Sequence, residues 1–375
     1  MTSALDWSRD GPHWPHRQAS RFVEAGGCTW HVQVLRGAPG QPVLWLLHGT
    51  GAASHSWRAL MDLLAPHATL VVPDLPGHGF SGPLPGVSLP RMAQALAALA
   101  DALALPPAVV LGHSAGAALA VRAALDGLIA PAQLVGINAA LLPFEGLAGR
   151  VFGPMARLMA RQTWVPWLFA RRAGDAAAVQ RLVAATGSTL DAQGLALYAR
   201  LMRSPAHVAG ALAMMADWDL DSLWRELPAL AVPLTLLVGG QDGTVPPAQA
   251  QRVRLKLPAT RVRVLDGLGH LAHEEAPQQV ADARFVRDPE QPDTSEFGLA
   301  IADAWQGLGL GRRLLRRLRD IATAQGLQVH TVRQRQHAAV EQRRRSSRRC
   351  RADGPRRKGM RPIRCVDRRR GLTGR

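Results

Sequence analysis

The stretch "VVLGHSAGAALA" (109–120) sets a serine between two glycines, behind an apolar β-branched run and ahead of an alanine-rich one. A G-x-S-x-G at a strand-to-helix junction demands a sharp turn, which Gly112 and Gly116 leave room for, and it exposes the Ser114 hydroxyl at a helix N-terminus. Such a hydroxyl is a weak nucleophile by itself. It needs a histidine base held in one tautomer by a carboxylate, and backbone donors for a developing oxyanion.

The flanking pattern supplies the scaffold. Residues 22–36 read as two short strands turning at Gly26-Gly27, a hairpin signal. Buried strands follow in "PVLWLLHG" (42–49), "ATLVVPDLPGHGFS" (68–81), "AVVLGHS", "AQLVGINAA" (132–140), "PLTLLVGGQD" (233–242) and "TRVRVLDGLGH" (260–270). Helical spacing of Leu, Met and Ala covers 88–105, and a helix after Ser114 closes at Gly127. Fully apolar strands alternating with helices predict an α/β fold: a mostly parallel sheet with helices on both faces. The segment between the strands at 132 and 233 is too long for one crossover, so 143–222 is expected to be an inserted helical lid on a domain spanning 1–282.

In this architecture the partners follow in the order serine, acid, histidine, on loops at the carboxyl ends of later strands. Asp242 and His270 fit both order and place. Asp266 is a rival acid, though four residues before His270 it fits the end of its own strand better. The oxyanion donors expected are the amides of Ala115, directly after the nucleophile, and Thr50, in "HGTG". His48, His78 and His113 read as loop-packing residues rather than bases, and His273 as a helix-start residue.

Composition bounds the rest. The net charge of +17 suggests nucleic acid until it is located: residues 1–282 carry 21 Lys+Arg against 19 Asp+Glu, and residues 283–375 carry 24 against 9. The basicity belongs to the C-terminal quarter. Three scattered cysteines (Cys28, Cys350, Cys365) lack metal-site spacing and suit a reduced cytoplasm. No apolar run reads as a signal peptide or a membrane span. No cofactor and no metal are expected.

"HGTGAASHSW", "DLPGHGFSG", "GHSAG", "GGQD" and "GHLAHEEAP" together resemble the α/β-hydrolase superfamily over residues 20–282. More narrowly, "WPHRQASRFVEAGGCTWHVQ", "NAALLPFEGLAG", "TGSTLDAQG" and "HVAGALAMMADWDL" are similar to the magnesium-chelatase accessory proteins of bacteriochlorophyll biosynthesis. The resemblance implies a role near magnesium insertion into protoporphyrin, with magnesium chelatase as partner, and puts Ser114, Asp242 and His270 at the triad positions. Two readings follow. One is a serine hydrolase acting on a hydrophobic small molecule such as a tetrapyrrole ester; the other is a non-catalytic accessory that binds tetrapyrrole or the chelatase.

The lid fits either reading. Phe144, Met155, Met159, Trp164, Trp167, Phe169, Met214, Met215 and Trp218 pack a lid on its body or line an apolar pocket. Arg157, Arg161, Arg171 and Arg172 pair with propionates or form a solvated face. His207 either ligates a metal or does what lone histidines more often do and packs.

Residues 283–327 resemble the middle of a GNAT-type acetyltransferase, through the strand "EFGLAIAD" and the loop "QGLGLG" (306–311). In that family the loop holds the pyrophosphate of acetyl-CoA, and Gln306, Gly309 and Gly311 match it. The strands that should surround the loop are missing, so it reads as a vestigial acetyl-CoA site. The tail 328–375, with 17 Lys+Arg among residues 329–375, lacks the apolar content for a core. It reads as a solvated tail touching acidic surfaces, as a nucleic-acid contact without aromatic interleaving, or as a GC-rich gene translated out of frame. A continuous reading frame and an intact mass of 40.3 kDa would overturn the last of these.

Overall fold

The computed structural model describes residues 4–143, 162, 164–172, 176–281, 283–288 and 291–299. Eight strands form one sheet in the order β1-β2-β4-β3-β5-β6-β7-β8. β1 (Ser20–Ala25) and β2 (Cys28–Leu35) make the expected antiparallel hairpin, turning at Gly26 and Gly27, both at positive φ. β2 pairs antiparallel with β4 (Thr69–Pro73); β3 (Val43–Leu47), β5 (Val109–His113), β6 (Gln133–Ile137), β7 (Leu234–Gly239) and β8 (Arg261–Leu265) continue in parallel.

Alternation sorts these strands onto two helical layers. Leu44, Leu46, Val109, Leu111, Val135 and Ile137 pack with Leu60, Met61 and Leu64 of helix α2 (Arg58–Leu64). Trp45, Leu47, Val110 and Leu134 face the other side, against Met92, Leu96 and Leu99 of α3 (Leu89–Leu103) and Ala118 and Val121 of α4 (Ala115–Leu125). The small side chains of α4 let it lie close to the sheet. A four-residue helix, α1 (Trp7–Asp10), precedes the sheet.

Between β6 and β7 lie α5 (Trp164–Arg172), α6 (Ala176–Ala185), α7 (Ala192–Met202), α8 (Pro205–Asp217) and α9 (Leu220–Glu226). The expected lid boundary at 222 falls inside α9, whose Leu220 and Leu223 belong to the body's core. After β7 come α10 (Ala248–Lys256) and, following β8, the short α11 (Ala272–Glu275) and α12 (Pro277–Ala281), which sets Val280 into the α2 side of the core. Separately, β9 (Ala283–Asp288) and β10 (Gln291–Leu299) pair with each other, β10 overlapping the start of "EFGLAIAD". Gln306, Gly309, Gly311 and the basic tail lie outside the described residues. Among those described, no helix is long and apolar enough to cross a membrane.

The chain leaves β3 toward β4 on one side and returns to β5 on the other. Loops after β3 and β5 therefore open a crevice at the carboxyl edge, where open α/β sheets place their ligands. "HGTG" and Ser114 are those two loops.

Candidate active site

Ser114 sits at φ 51°, ψ −116°, a strained backbone for a residue with a side chain. The turn explains both glycines: a Cβ on Gly116 would stand 2.2 Å from the Leu47 carbonyl oxygen, and one on Gly112 2.5 Å from Ala117. Its backbone is anchored to the end of β6, the Ser114 N–H donating to Ile137 O at 3.0 Å and Ser114 O accepting from Ala140 N at 3.2 Å. As the first residue of α4, Ala115 presents an amide with no carbonyl one turn earlier to bind.

Asp242 and His270 come together. His270 Nδ1 lies 2.8 Å from Asp242 Oδ2, while Asp242 Oδ1 accepts from the amides of Thr244 (2.7 Å) and Val245 (2.8 Å). Both side chains are buried. A carboxylate bound through three such contacts is an acceptor, so His270 carries its proton on Nδ1 and offers Nε2 as the basic nitrogen. Asp266, the rival, lies exposed in the turn after β8.

Several supporting groups carry no motif in the sequence. Asn138, buried at positive φ after β6, donates through Nδ2 to His270 O (2.6 Å) and Gly269 O (2.9 Å) and accepts from Gly239 N at 2.6 Å. The Thr186 carbonyl, between α6 and α7, accepts from both Gly243 and His270 amides at 3.1 Å, one on the acid's loop and one on the histidine's. Ser188 Oγ accepts from Leu271 N, and Glu275 joins Thr189 N (2.7 Å) to Gly269 N (2.8 Å). These contacts explain why "TGSTLDAQG" is glycine-bearing: a Cβ on Gly187 would meet Gln241 O at 2.0 Å.

The histidines set aside as packing residues are buried and have backbone partners. Burial holds His113 well below the usual histidine range, so its Nε2–H donates to His270 O at 2.9 Å. His48 accepts Leu75 N–H at Nε2 (2.8 Å), which puts its proton on Nδ1, donating to Gly49 O at 2.8 Å. Because N–H and C=O of one trans peptide point opposite ways, fixing Gly49 O also fixes the direction of the Thr50 amide. The loop lies against Ser114, since a Cβ on Gly49 would come 3.0 Å from Ser114 Cβ.

His273 rests on the rings of Trp57 and His113, and burial pushes it down to about 3. His207 binds backbone through both ring nitrogens, to Gly79 N and Gly51 O, which answers the open question of metal ligation. Among the described residues no group of three His, Cys, Asp or Glu side chains is set to hold a metal. An ionic cluster ties lid to body: Arg58 bridges the buried Glu274 (2.6 Å) and the exposed Asp191 (3.0 Å), and the Tyr198 hydroxyl donates to Glu274 at 2.8 Å. Burial pushes Glu274 up to about 7 despite that guanidinium.

Of the lid's large side chains, Met214 is buried and Trp218 packs on the core, whereas Trp164 and Trp167 are more than half exposed, Arg171 lying over the Trp167 ring. Phe144, Met155, Met159, Arg157 and Arg161, and the side chains of Phe169 and Arg172, lie outside the described residues.

This elbow, sheet order and loop placement define an α/β-hydrolase fold. Residues 46–283 match the alpha/beta hydrolase family, and the chain belongs to it. It is 41% identical over 266 residues to the magnesium-chelatase 30 kDa subunit of Rhodobacter capsulatus, covering 70% of this chain and 92% of that protein. It is 30% identical over 261 residues to a pimeloyl-acyl-carrier-protein methyl ester esterase of Vibrio vulnificus (strain YJ016), covering 66% and 90%. Among solved structures, a thermophilic esterase from Thermogutta terrifontis superimposes with a TM-score of 0.56 at 24% identity, covering 69% of this chain and 95% of that one. A laboratory-evolved potato epoxide hydrolase gives 0.57 at 21%, covering 70% and 95%; at such identities the likeness shows the fold. Residues 251–341 match the acetyltransferase (GNAT) family, overlapping β8, α11 and α12 of the hydrolase sheet side.

Proposed function

We propose that this chain is a serine hydrolase that cleaves an ester of an apolar substrate, in the setting of magnesium insertion into a tetrapyrrole. Ser114 Oγ would attack the acyl carbon and pass its proton to His270 Nε2. That proton then goes to the leaving alcohol, and water, deprotonated by His270, releases the acid and regenerates Ser114. Asp242 orients the base, and the amides of Thr50 and Ala115 receive the oxyanion. The observation that carries this reading is the 2.8 Å His270 Nδ1–Asp242 Oδ2 bond, which leaves Nε2 as the unprotonated nitrogen of a ring packed against His113, the residue before Ser114. The magnesium-chelatase relative supports the tetrapyrrole setting.

The test treats the protein and a Ser114→Ala control with a fluorescent fluorophosphonate that phosphonylates activated serines, fluoride leaving as the Ser–O–P bond forms. Labelling that disappears in the control supports the reading; no labelling of folded protein refutes it. That relative also favours the second reading, a non-catalytic accessory that holds a tetrapyrrole or contacts the chelatase. Protoporphyrin binding by an unlabelled, folded protein would select it.

A further inference from the structure

The loop that carries the Thr50 amide is held from two sides. From the body, His48 fixes the Gly49 carbonyl, as described above. From the inserted segment comes helix α8. Its His207, buried to 1% exposure, accepts the Gly79 N–H at Nδ1 (3.1 Å), so the ring proton resides on Nε2, which lies 3.1 Å from Gly51 O and donates to it. Burial holds the ring down to about 4, which keeps it neutral and keeps that Nδ1 lone pair available. One and two turns further along, the same helix makes two more contacts with this edge. Gly210 lies against the Gly77 backbone, where an added Cβ would stand 2.0 Å from Gly77 O, and Thr50 Oγ1 donates to Met214 Sδ at 3.5 Å. A helix from the insertion thus grips the residue on each side of the Gly49–Ala52 turn's tip, a turn closed by Ala52 N–H to Gly49 O at 3.2 Å.

We propose that His207 is a positioning residue that latches the lid onto the Thr50 loop, so that the loop, held at Gly49 O by His48 of the body, is held at Gly51 as well only while α8 is seated. This rests on the hydrolase reading given under Proposed function. A lid that opens to admit substrate would withdraw the Nε2–H from Gly51 and loosen the donor; reseating over bound substrate would restore it. Acylation and closure are then linked through His207, whose ring bonds the backbone at Gly79 and Gly51.

The test separates the two ring nitrogens. In His207→Asn the side-chain oxygen stands in for Nδ1, keeping the Gly79 bond and losing the Gly51 bond. In His207→Gln the amide nitrogen stands in for Nε2 and restores the donor to Gly51. Phosphonate labelling of Ser114 and hydrogen exchange of the 49–53 peptide are read on each. The expected result is labelling slowed about tenfold or more in the Asn variant, with faster exchange confined to 49–53, and both returned to within about threefold of wild type by Gln. The proposal is overturned if both variants match wild type in exchange and labelling, or if both exchange faster throughout the chain, which marks a purely structural residue. If wild-type Ser114 does not label, the hydrolase reading fails on its own, and exchange at 49–53 still decides the latch: raised by Asn and restored by Gln, or not.

Discussion

Replacing Asn138 by alanine removes a side chain that ties the end of β6 to the end of β7 and to the loop after β8. In the native chain its Nδ2 serves His270 O and Gly269 O, and its Oδ1 serves Gly239 N–H, all buried. His270 O keeps a donor in His113, so the substitution strands two groups, Gly269 O and Gly239 N–H. Each buried orphan costs about 1–3 kcal/mol. Asn138 also sits at φ 47°, a left-handed conformation that asparagine tolerates better than alanine, adding about 1 kcal/mol. The expected loss is about 4 kcal/mol, which for a domain of this size lowers Tm by about 10 °C. Calorimetry or fluorescence melting measures it, and phosphonate labelling well below Tm should slow as the His270 loop loses its tether. Asn138→Asp should be worse, because it aims a carboxylate oxygen at two carbonyls. A Tm for Asn138→Ala within 2 °C of wild type would refute the reasoning, since no relaxation could then have left those groups unpaired.

Asp242→Asn should leave the circular dichroism spectrum unchanged and slow phosphonate labelling by about 10⁴, the usual effect of losing the correct histidine tautomer. His273, held near 3 by burial against an ordinary histidine value of about 6.5, is depressed in the folded state. Its stability is therefore fully present above pH 6.5 and lost as pH falls, by about 2 kcal/mol between pH 7.5 and 5. Urea titrations of His273→Phe at those two pH values should show that part of the acid loss removed; an unchanged pH dependence would count against it. Gly210→Ala should destabilise although alanine favours helices by about 1 kcal/mol, because the new methyl meets Gly77 O at 2.0 Å; a raised Tm would show that α8 is free to move away.

What was legible in the sequence and what was not divides along the distance between partners. Strands β3 to β8, the hairpin at Gly26-Gly27 and the helix after Ser114 are each written in a few consecutive residues, as apolar runs, paired glycines or alanine-rich spacing. Ser114 carries its own signature because the elbow is a local strain that only flanking glycines relieve. Asp242 and His270 could be picked by position, since strand ends can be counted along the chain. Asn138, Thr186, Glu275 and His207 have no such mark. Asn138 meets residues about a hundred or more positions away, and Thr186 acts through a backbone carbonyl, which every residue has. His207 reads as a lone histidine until the Gly51 carbonyl, 156 residues earlier, lies beside it.

The same residues bear on what the inserted segment is. A lid that merely covers a pocket would touch the body at its rim. Here Thr186 and Ser188 bind the loops of Asp242 and His270, Asp191 and Tyr198 join the Arg58–Glu274 pair, and α8 reaches Gly51, Thr50 and Gly77. The loops of Asp242, His270 and Thr50 each make a hydrogen bond with the insertion, whereas Ser114 itself rests on β6 through Ile137. A change in lid sequence that suits a new substrate therefore also moves the groups that would act on it, so substrate choice and turnover in this chain should shift together under substitutions at 186–191 and 207–214, and separately under substitutions in the exposed face of α5.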